Sequence, residues 1–253
     1  MRHGLIPNLL DPPRYNCRDA TFFFMKACND YIEETNDYDI LKEKVEMKFL
    51  SSSREKHEEL LAQRMVRECA LMDVMQEIME RHAWGIKFRE WNAENIDAHM
   101  SDDGHNIDLW PDWNNGFIYG GNNYNCLTWM DKMGSSEKSS NSGLPASARS
   151  GAPIEMTALL YLAVKFMARL YDLEYSCHDT VEIQNGKLVK YTEWAKLIRN
   201  NFEKYYWIPT DPAEDKNYAL LPELVRRRGV YKDCDRSALI NTNYYFRPNV
   251  LIA

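Results

Sequence analysis

The sequence predicts a mainly helical protein whose helices are joined by long loops, with one small β-hairpin. Three patterns carry this prediction. Apolar residues recur at three- and four-residue steps over residues 54–82 and 154–172, as they do on one face of an α-helix. A Ser-, Gly- and Pro-rich stretch, residues 135–153, is typical of a long loop at a functional rim. Residues 181–190 alternate around an Asn-Gly pair, which indicates a hairpin.

The N-terminal part is expected to be extended up to residue 18, because consecutive prolines at positions 12 and 13 block a helix. Asp19 then precedes an apolar segment that predicts a helix over residues 20–34. The carboxylate of Asp19 has two open interpretations. It can cap this helix, or it can stand beside Arg18 at the mouth of a pocket.

The helical pattern of residues 54–82 stops near Gly85. Residues 97–115 contain five aspartates and two histidines, and are expected to form a solvated acidic loop. The alternating ligands and terminal glutamate of a calcium loop are missing, so no metal site is predicted there. A short strand is expected at residues 116–118.

Residues 119–134 have the composition of a ligand-binding loop. They combine glycines and asparagines, which favour turns, with two tyrosines and a tryptophan. Aromatic faces such as that of Trp129 and amides such as that of Asn125 suit a neutral, hydroxyl-rich ligand, for example a sugar. Asp131 is the only carboxylate in the stretch and is therefore the candidate for proton transfer.

The second half of the chain begins with the helix predicted at residues 154–172. Glu155 lies in its first turn, where the helix dipole stabilises a negative charge. Alternatively, it can act as an acid in a pocket at the end of the preceding loop. Thr192 is expected to cap a helix that ends near Tyr206. Residues 207–243 are expected to be irregular, and a further helix is expected to begin in the last ten residues.

Composition excludes several classes of function. The formal net charge of -7 does not fit a nucleic-acid-binding protein, and no apolar run approaches the ~20 residues of a membrane span. The six cysteines have no close pair, which favours a reducing, cytoplasmic location. Glycine-rich phosphate loops, serine elbows and CxxC pairs are absent, so we expect no cofactor and no metal.

Several segments together resemble the C-terminal amylo-alpha-1,6-glucosidase region of the eukaryotic glycogen debranching enzymes. The most specific is Trp-Met-Asp-Lys-Met-Gly, residues 129–134. The other matching segments, spread over nearly the whole chain, are residues 3–10, 14–20, 119–122, 125–126, 201–204, 228–233 and 247–249.

This resemblance implies an incomplete α/α toroid of the six-hairpin glycosidase type. Residues 1–253 would be a partial domain that lacks helices at both ends. The family removes the single α-1,6-linked glucose left at a trimmed glycogen branch, so the implied partner is glycogen or a limit dextrin. In the family a separate N-terminal region carries 4-alpha-glucanotransferase activity.

The resemblance also implies roles for individual residues. Asp131 matches the general acid of an inverting mechanism, with burial near Trp129 raising its pKa so that it stays protonated. Arg18 and Asp19 match a pair that binds hydroxyls of the terminal glucose. Glu155 matches an acid at the pocket rim. The Arg-Pro-Asn element that supports the site is represented by Arg247 and Asn249.

The chain departs from the family pattern in three ways. The segment around residues 11–13 is shortened. Leu127 stands where the family usually has glycine. The Gly-Pro-Glu-Trp element that carries the family's general base does not occur in the sequence. The alternative hypothesis is therefore a non-catalytic glycan-binding or regulatory fragment, and a third is a gene-model fragment that does not fold.

Overall fold

Four α-helices form the framework of the described chain. The computed structural model describes residues 4–10, 13–48, 66–90 and 100–253. Within these ranges the α-helices are α1 (Asp19–Thr35), α2 (Leu71–Trp84), α3 (Ile154–Asp172) and α4 (Tyr191–Tyr206). The helices predicted at residues 20–34, 154–172 and 192–206 are confirmed, but Thr192 does not cap α4, which begins at Tyr191 and has Lys190 as its N-cap.

The same ranges contain thirteen short β-strands. In chain order they are β1 (Leu9–Leu10), β2 (Pro13–Arg14), β3 (Lys44–Lys48), β4 (Val66–Ala70), β5 (Ile86–Arg89), β6 (Asn106–Asp112), β7 (Phe117–Gly120), β8 (Ala152–Pro153), β9 (Thr180–Glu182), β10 (Leu188–Lys190), β11 (Trp207–Ile208), β12 (Val230–Tyr231) and β13 (Cys234–Asp235). They pair into five two-stranded sheets and one three-stranded sheet, all antiparallel. The predicted hairpin is confirmed by β9 and β10.

The expected all-α fold, an incomplete α/α toroid, is therefore wrong, and the structure is a mixed α and β fold. Strand β6 shows why. It lies within the predicted acidic loop, yet Ile107 and Leu109 are buried while Asp108 and Trp110 between and beyond them are not. This is the two-residue period of a half-buried strand. In the sequence this period spans only two apolar residues among several aspartates, and the aspartates favoured the prediction of a loop.

The helix predicted at residues 54–82 is confirmed only for its last part, α2. Residues 66–70 form β4, which pairs antiparallel with β3 and aligns Cys69 with Val45. Both side chains pack against the hydrophobic core. Cross-strand pairing with a distant segment thus overrides the local helical pattern. Residues 54–65 of the predicted helix lie outside the described residues.

Short 3₁₀ helices complete the secondary structure of the described residues. They are Asp39–Lys42, Asp102–His105, Pro212–Asn217, Pro222–Leu224, Ile240–Tyr244 and Pro248–Leu251. The last of these stands where the sequence predicts the beginning of a longer helix. The stretch predicted to be irregular, residues 207–243, combines such short helices with β11, β12 and β13.

Helix α3 is the centre of the hydrophobic core. It packs between α1 and α4, and its Leu159, Val164 and Met167 are fully buried. Because α3 is covered by other elements on most of its sides, most of its side chains are apolar. This explains why the sequence predicts this helix clearly. No described helix, α3 included, has both the length and the apolar character needed to cross a bilayer.

Two backbone pairings bring distant segments to the N-terminal end of α3. Strand β13 pairs with β8, so residues 234–235 lie beside residues 152–153. Gly120 and Gly151 exchange hydrogen bonds of 3.1 and 2.7 Å. The loops that follow β7 and precede α3 are therefore held side by side, and the candidate site is built on them.

Candidate active site

The loop of residues 119–134 starts with a close approach between backbones. A Cβ atom on Gly120 would lie 2.6 Å from the carbonyl oxygen of Asp108 and 2.9 Å from Nη1 of Arg18. Any side chain at this position would displace one of them. Gly121 follows with a φ of +85°, and the side chain of Leu127 packs over it. Leu127 is fully buried, so this departure from the family's glycine is accommodated in the core.

Asparagine amides hold the turn of this loop. Oδ1 of Asn122 accepts hydrogen bonds from the backbone N–H groups of Tyr124 and Asn125. Oδ1 of Asn125 accepts from the N–H of Asn122 at 3.0 Å, and its Nδ2 donates to the carbonyl of Asn106 at 2.9 Å. The fully buried Asn125, predicted to bind a sugar, thus uses both amide atoms within the protein.

The segment of residues 16–19 is fastened to the loop at three points. Nδ2 of Asn16 donates to the carbonyl of Cys126 at 3.0 Å, and the N–H of Arg18 donates to the carbonyl of Leu127 at 3.1 Å. Oδ2 of Asp19 accepts from the N–H of Trp129 at 2.6 Å. Helix α1 begins at Asp19 itself, and no side chain caps it. Asp19 therefore anchors the loop, and burial raises its pKa to about 6.

Arg18 offers unused hydrogen-bond donors inside the site. Its side chain is buried, and Nη2 donates to the carbonyls of Gly151 and Arg149 at 3.0 and 3.4 Å. Nε and Nη1 are buried without a partner. Burial lowers the pKa of Arg18 to about 10, so the group remains a cation at neutral pH. Buried donors without partners are rare in proteins, and here they indicate a place for ligand oxygens.

Asp131 lies at the outer end of the loop, half-buried. Its Oδ2 is 3.8 Å from the thiol of Cys17, which also donates to the carbonyl of Thr128 at 3.3 Å. The neighbouring Trp129 is 51% exposed, which leaves an aromatic face free for contact with a flat apolar ligand surface. The structure thus places a carboxyl group beside an exposed indole and a thiol.

A second group of charges lies behind the loop. Arg149 is fully buried and forms two hydrogen bonds with the carboxylate of Glu155, one of them 2.6 Å long. It forms two more, each 3.0 Å, with Asp233. Burial alone would lower the pKa of Arg149, but its bonds to Glu155 and its acidic neighbours raise it. Glu155 thus occupies the first turn of α3 with both oxygens bound.

The Arg-Pro-Asn element closes this group from the C-terminal side. Nη1 of Arg247 donates to Oδ2 of Asp233 at 2.6 Å. Nδ2 of Asn249 lies 3.3 Å from Oε1 of Glu155 and 3.5 Å from the sulfur of Met130, within the loop. Oδ1 of Asn249 is buried without a partner. The structure therefore brings Glu155, Arg247 and Asn249 together behind the loop that carries Asp131.

Sequence reasoning assigned no role to Arg149 or Asp233. With Arg18, Asp19, Glu155 and Arg247 they make three cations and three acids, a balanced set that shields buried charge. The signal for Arg149 was a lone long cation in a stretch of small residues, 146–151. Its φ of +45° is in the left-handed region, a conformation that bulky residues adopt only when surrounding contacts enforce it.

Glu90 fixes the segment of residues 14–19 from the opposite side. It is 2% exposed, and its Oε1 accepts from the N–H of Tyr15 at 2.8 Å. Burial raises its pKa to about 7, although the bond from Tyr15 and the charge of Arg14 oppose this shift. This acid follows β5, far along the chain from the segment it holds, and nothing in its local sequence marks it.

We expect the stability of the protein to fall as pH rises through the titration of Glu90. Its pKa is higher in the folded state than the ordinary value of 4.5, so folding favours the protonated acid. The contribution is complete below pH ~4.5 and is lost as pH rises through ~7, by about 3 kcal/mol at most. Melting temperatures of Glu90→Gln, which keeps the acceptor for Tyr15, should show a flatter pH dependence over this window. An equally steep curve in the variant would contradict this assignment.

The described residues contain no group of three or more His, Cys, Asp or Glu side chains arranged to bind a metal ion. An exposed aromatic face, free guanidinium donors and one half-buried carboxyl group can bind a polyol and transfer a proton to it.

The sequence is similar to known proteins. The family described as Amylo-alpha-1,6-glucosidase matches residues 1–253. The chain is 43% identical over 260 residues to a glycogen debranching enzyme of Saccharomyces cerevisiae. That alignment covers 100% of this chain and 17% of the yeast protein, so the chain spans about a sixth of the length of that relative.

Proposed function

Because this chain belongs to the amylo-alpha-1,6-glucosidase family, we propose that it takes part in glycogen debranching. In this proposal residues 1–253 are part of the glucosidase domain. They contribute to the inverting hydrolysis of the single α-1,6-linked glucose at a trimmed branch point of glycogen or a limit dextrin. The observation that carries the proposal is the position of Asp131 and Trp129 on one loop, which is anchored to Asp19 through the N–H of Trp129. Arg18, the residue before Asp19, adds buried donors that have no protein partner.

The proposed proton donor is the carboxyl group of Asp131. It gives its proton to the glycosidic oxygen as the bond from that oxygen to the anomeric carbon breaks. Water attacks the opposite face of the sugar and loses a proton to the second carboxylate that inversion requires. The exposed ring of Trp129 stacks on the glucose. Nε and Nη1 of Arg18 donate to its hydroxyls, since they have no protein partner.

The remaining predicted residues support these groups in the proposal. Asp19 holds the backbone of Trp129, and Glu155 fixes Arg149, whose Nη1 lies 3.4 Å from the hydroxyl of Thr128. Asn249 has two roles in the proposal. Its Nδ2 supports Glu155, and its Oδ1, which has no protein partner, accepts from a sugar hydroxyl. Asn125 acts by shaping the loop.

The stereochemistry of the released glucose tests the proposal. With the full-length protein and a limit dextrin that carries single α-1,6-linked glucose stubs, inversion predicts β-glucose as the first product. Proton NMR within the first minutes separates the two anomers before they interconvert. Initial release of α-glucose would contradict an inverting mechanism, and the absence of free glucose would contradict hydrolysis.

One observation favours a second candidate function, the binding of glycan without hydrolysis. Inversion needs a second carboxylate ~6.5–9.5 Å from the acid to activate water, and the Gly-Pro-Glu-Trp element of the family does not occur in this sequence. Titration of a maltooligosaccharide into residues 1–253 discriminates between the two functions. Binding without release of glucose supports this second candidate, whereas turnover excludes it.

The proposal also includes a cellular location, a class of binding partner and the place of the transferase activity. All six cysteines are free thiols, and Cys177 is exposed, which supports a reducing location such as the cytoplasm. The negative net charge supports a neutral glucan rather than nucleic acid as the partner. The 4-alpha-glucanotransferase activity of the family belongs, in this proposal, to residues other than 1–253.

A further inference from the structure

Buried polar atoms without partners are concentrated between the N-terminal segment and Glu90. They are Nε and Nη2 of Arg14, Oδ1 of Asn16 and Oε2 of Glu90. A polar atom that loses water on folding and finds no partner costs roughly 1–3 kcal/mol, and such atoms are therefore few in native proteins. Several of them in one neighbourhood indicate that something outside the chain supplies the missing hydrogen bonds.

The contacts around these atoms lead to Asp131. Arg14 is followed directly by Tyr15, whose N–H donates to Glu90, and it precedes Cys17 by three residues. The thiol of Cys17 in turn lies 3.8 Å from Oδ2 of Asp131. The short segment that carries Arg14 therefore connects Glu90 with the site of the proposed proton donor.

Arg14 and Glu90 have opposite charges but do not complete each other's hydrogen bonds. Oε1 of Glu90 is used by the N–H of Tyr15 at 2.8 Å, and Oε2 is left over. A guanidinium offers only donors, whereas a carboxylate offers only acceptors. One hydroxyl group can accept from the first and donate to the second. A phosphate would be repelled by Glu90 and an amine by Arg14, so the pair is suited to a neutral polyol.

We propose that Arg14 and Glu90 form a second sugar-binding subsite, next to that of Asp131, which binds hydroxyls of the glucose unit carrying the branch. This subsite rests on the proposed function, since it needs a branched glucan in the first site. Asn16 extends it, because Nδ2 is tied to the carbonyl of Cys126 while Oδ1 is free to accept a further hydroxyl.

The test compares two substrates that differ in the second sugar. A limit dextrin with single-glucose branches occupies both subsites, whereas α-glucosyl fluoride occupies only the first. In Glu90→Gln and in Arg14→Met, the ratio of kcat/KM for the dextrin to kcat/KM for the fluoride should fall at least about tenfold, mainly through KM. Loss of one hydrogen bond to a charged group has this magnitude. Glu182→Gln, at an exposed position of strand β9, is the matched control and should keep the ratio.

A purely structural role gives a different result. If Glu90 only holds the backbone of Tyr15, both substrates should be affected equally and the ratio should stay constant, which would overturn the proposal. A constant ratio with normal kinetics on both substrates would overturn it as well. Failure of the proposed function is recognised separately, because then the unmodified protein releases no glucose from either substrate.

Discussion

Replacing Asp131 by asparagine is expected to lower the rate of glucose release by roughly 100- to 10,000-fold, the usual contribution of a general acid. The amide has the shape of the acid but cannot give up a proton to the glycosidic oxygen. The main-chain bond from Trp129 to Asp19 does not involve the replaced group, so the loop should keep its conformation. Single-turnover release of glucose from a limit dextrin measures the rate, and calorimetric titration of the same dextrin measures binding.

The binding measurement distinguishes a loss of catalysis from a loss of substrate binding. Binding should stay within a few-fold of the unmodified protein, because the indole of Trp129 and the donors of Arg18 remain in place. Asp103→Asn, which neutralises an exposed acid on the 3₁₀ helix Asp102–His105, is the matched control and should release glucose normally. Near-normal release by Asp131→Asn would remove this residue from its proposed role.

Replacing Arg149 by methionine is expected to destabilise the fold by roughly 3–5 kcal/mol, the cost of breaking a buried ion pair by removing one partner. Arg149 is fully buried and neutralises both Glu155 and Asp233. Methionine fills a similar volume but leaves two buried carboxylates whose remaining side-chain partners are Arg247 and the thiol of Cys234 for Asp233, and Asn249 for Glu155. Urea unfolding should therefore show a large decrease in the midpoint.

Two further variants separate charge from volume. Arg199→Met removes a cation from the exposed face of α4 and should change stability by less than about 0.5 kcal/mol. Adding Glu155→Gln to Arg149→Met removes one of the unpaired acids and should recover part of the lost stability. A loss below 1 kcal/mol in Arg149→Met would show that the buried charges are not held by this residue.

The helices were predictable because their signal is local. The apolar residues of α3 recur at helical spacing within a single stretch, and that spacing follows from its burial between α1 and α4. The sheets depend on residues that are far apart in sequence. Strand β4 becomes a strand through β3, and β6 through β5 and β7, so local patterns gave a helix in one case and a loop in the other.

In the candidate site, too, some features were predictable from local sequence and others depend on residues far apart in the chain. The composition of residues 119–134 predicted a loop that presents Trp129 and Asp131, and the structure places both on such a loop. The anchoring role of Asp19 depends on a bond to Trp129, 110 residues away, which no local pattern encodes. Arg149 and Glu90 are similar cases, because each acts on groups brought to it by the fold.

The three hydrogen bonds between residues 16–19 and residues 126–129 follow the same order along both segments. The position of each residue in one segment therefore depends on the number of residues in the other. Inserting or deleting one residue between Cys126 and Asp131 would shift Trp129 away from Asp19 and turn Asp131 out of place. The neighbouring residues 137–140 are exposed, and the backbone N–H groups of Ser139 and Ser140 bond within the same short turn. Change in chain length during evolution should therefore accumulate beside the loop, whereas within it the number of residues matters more than the identity of most of them.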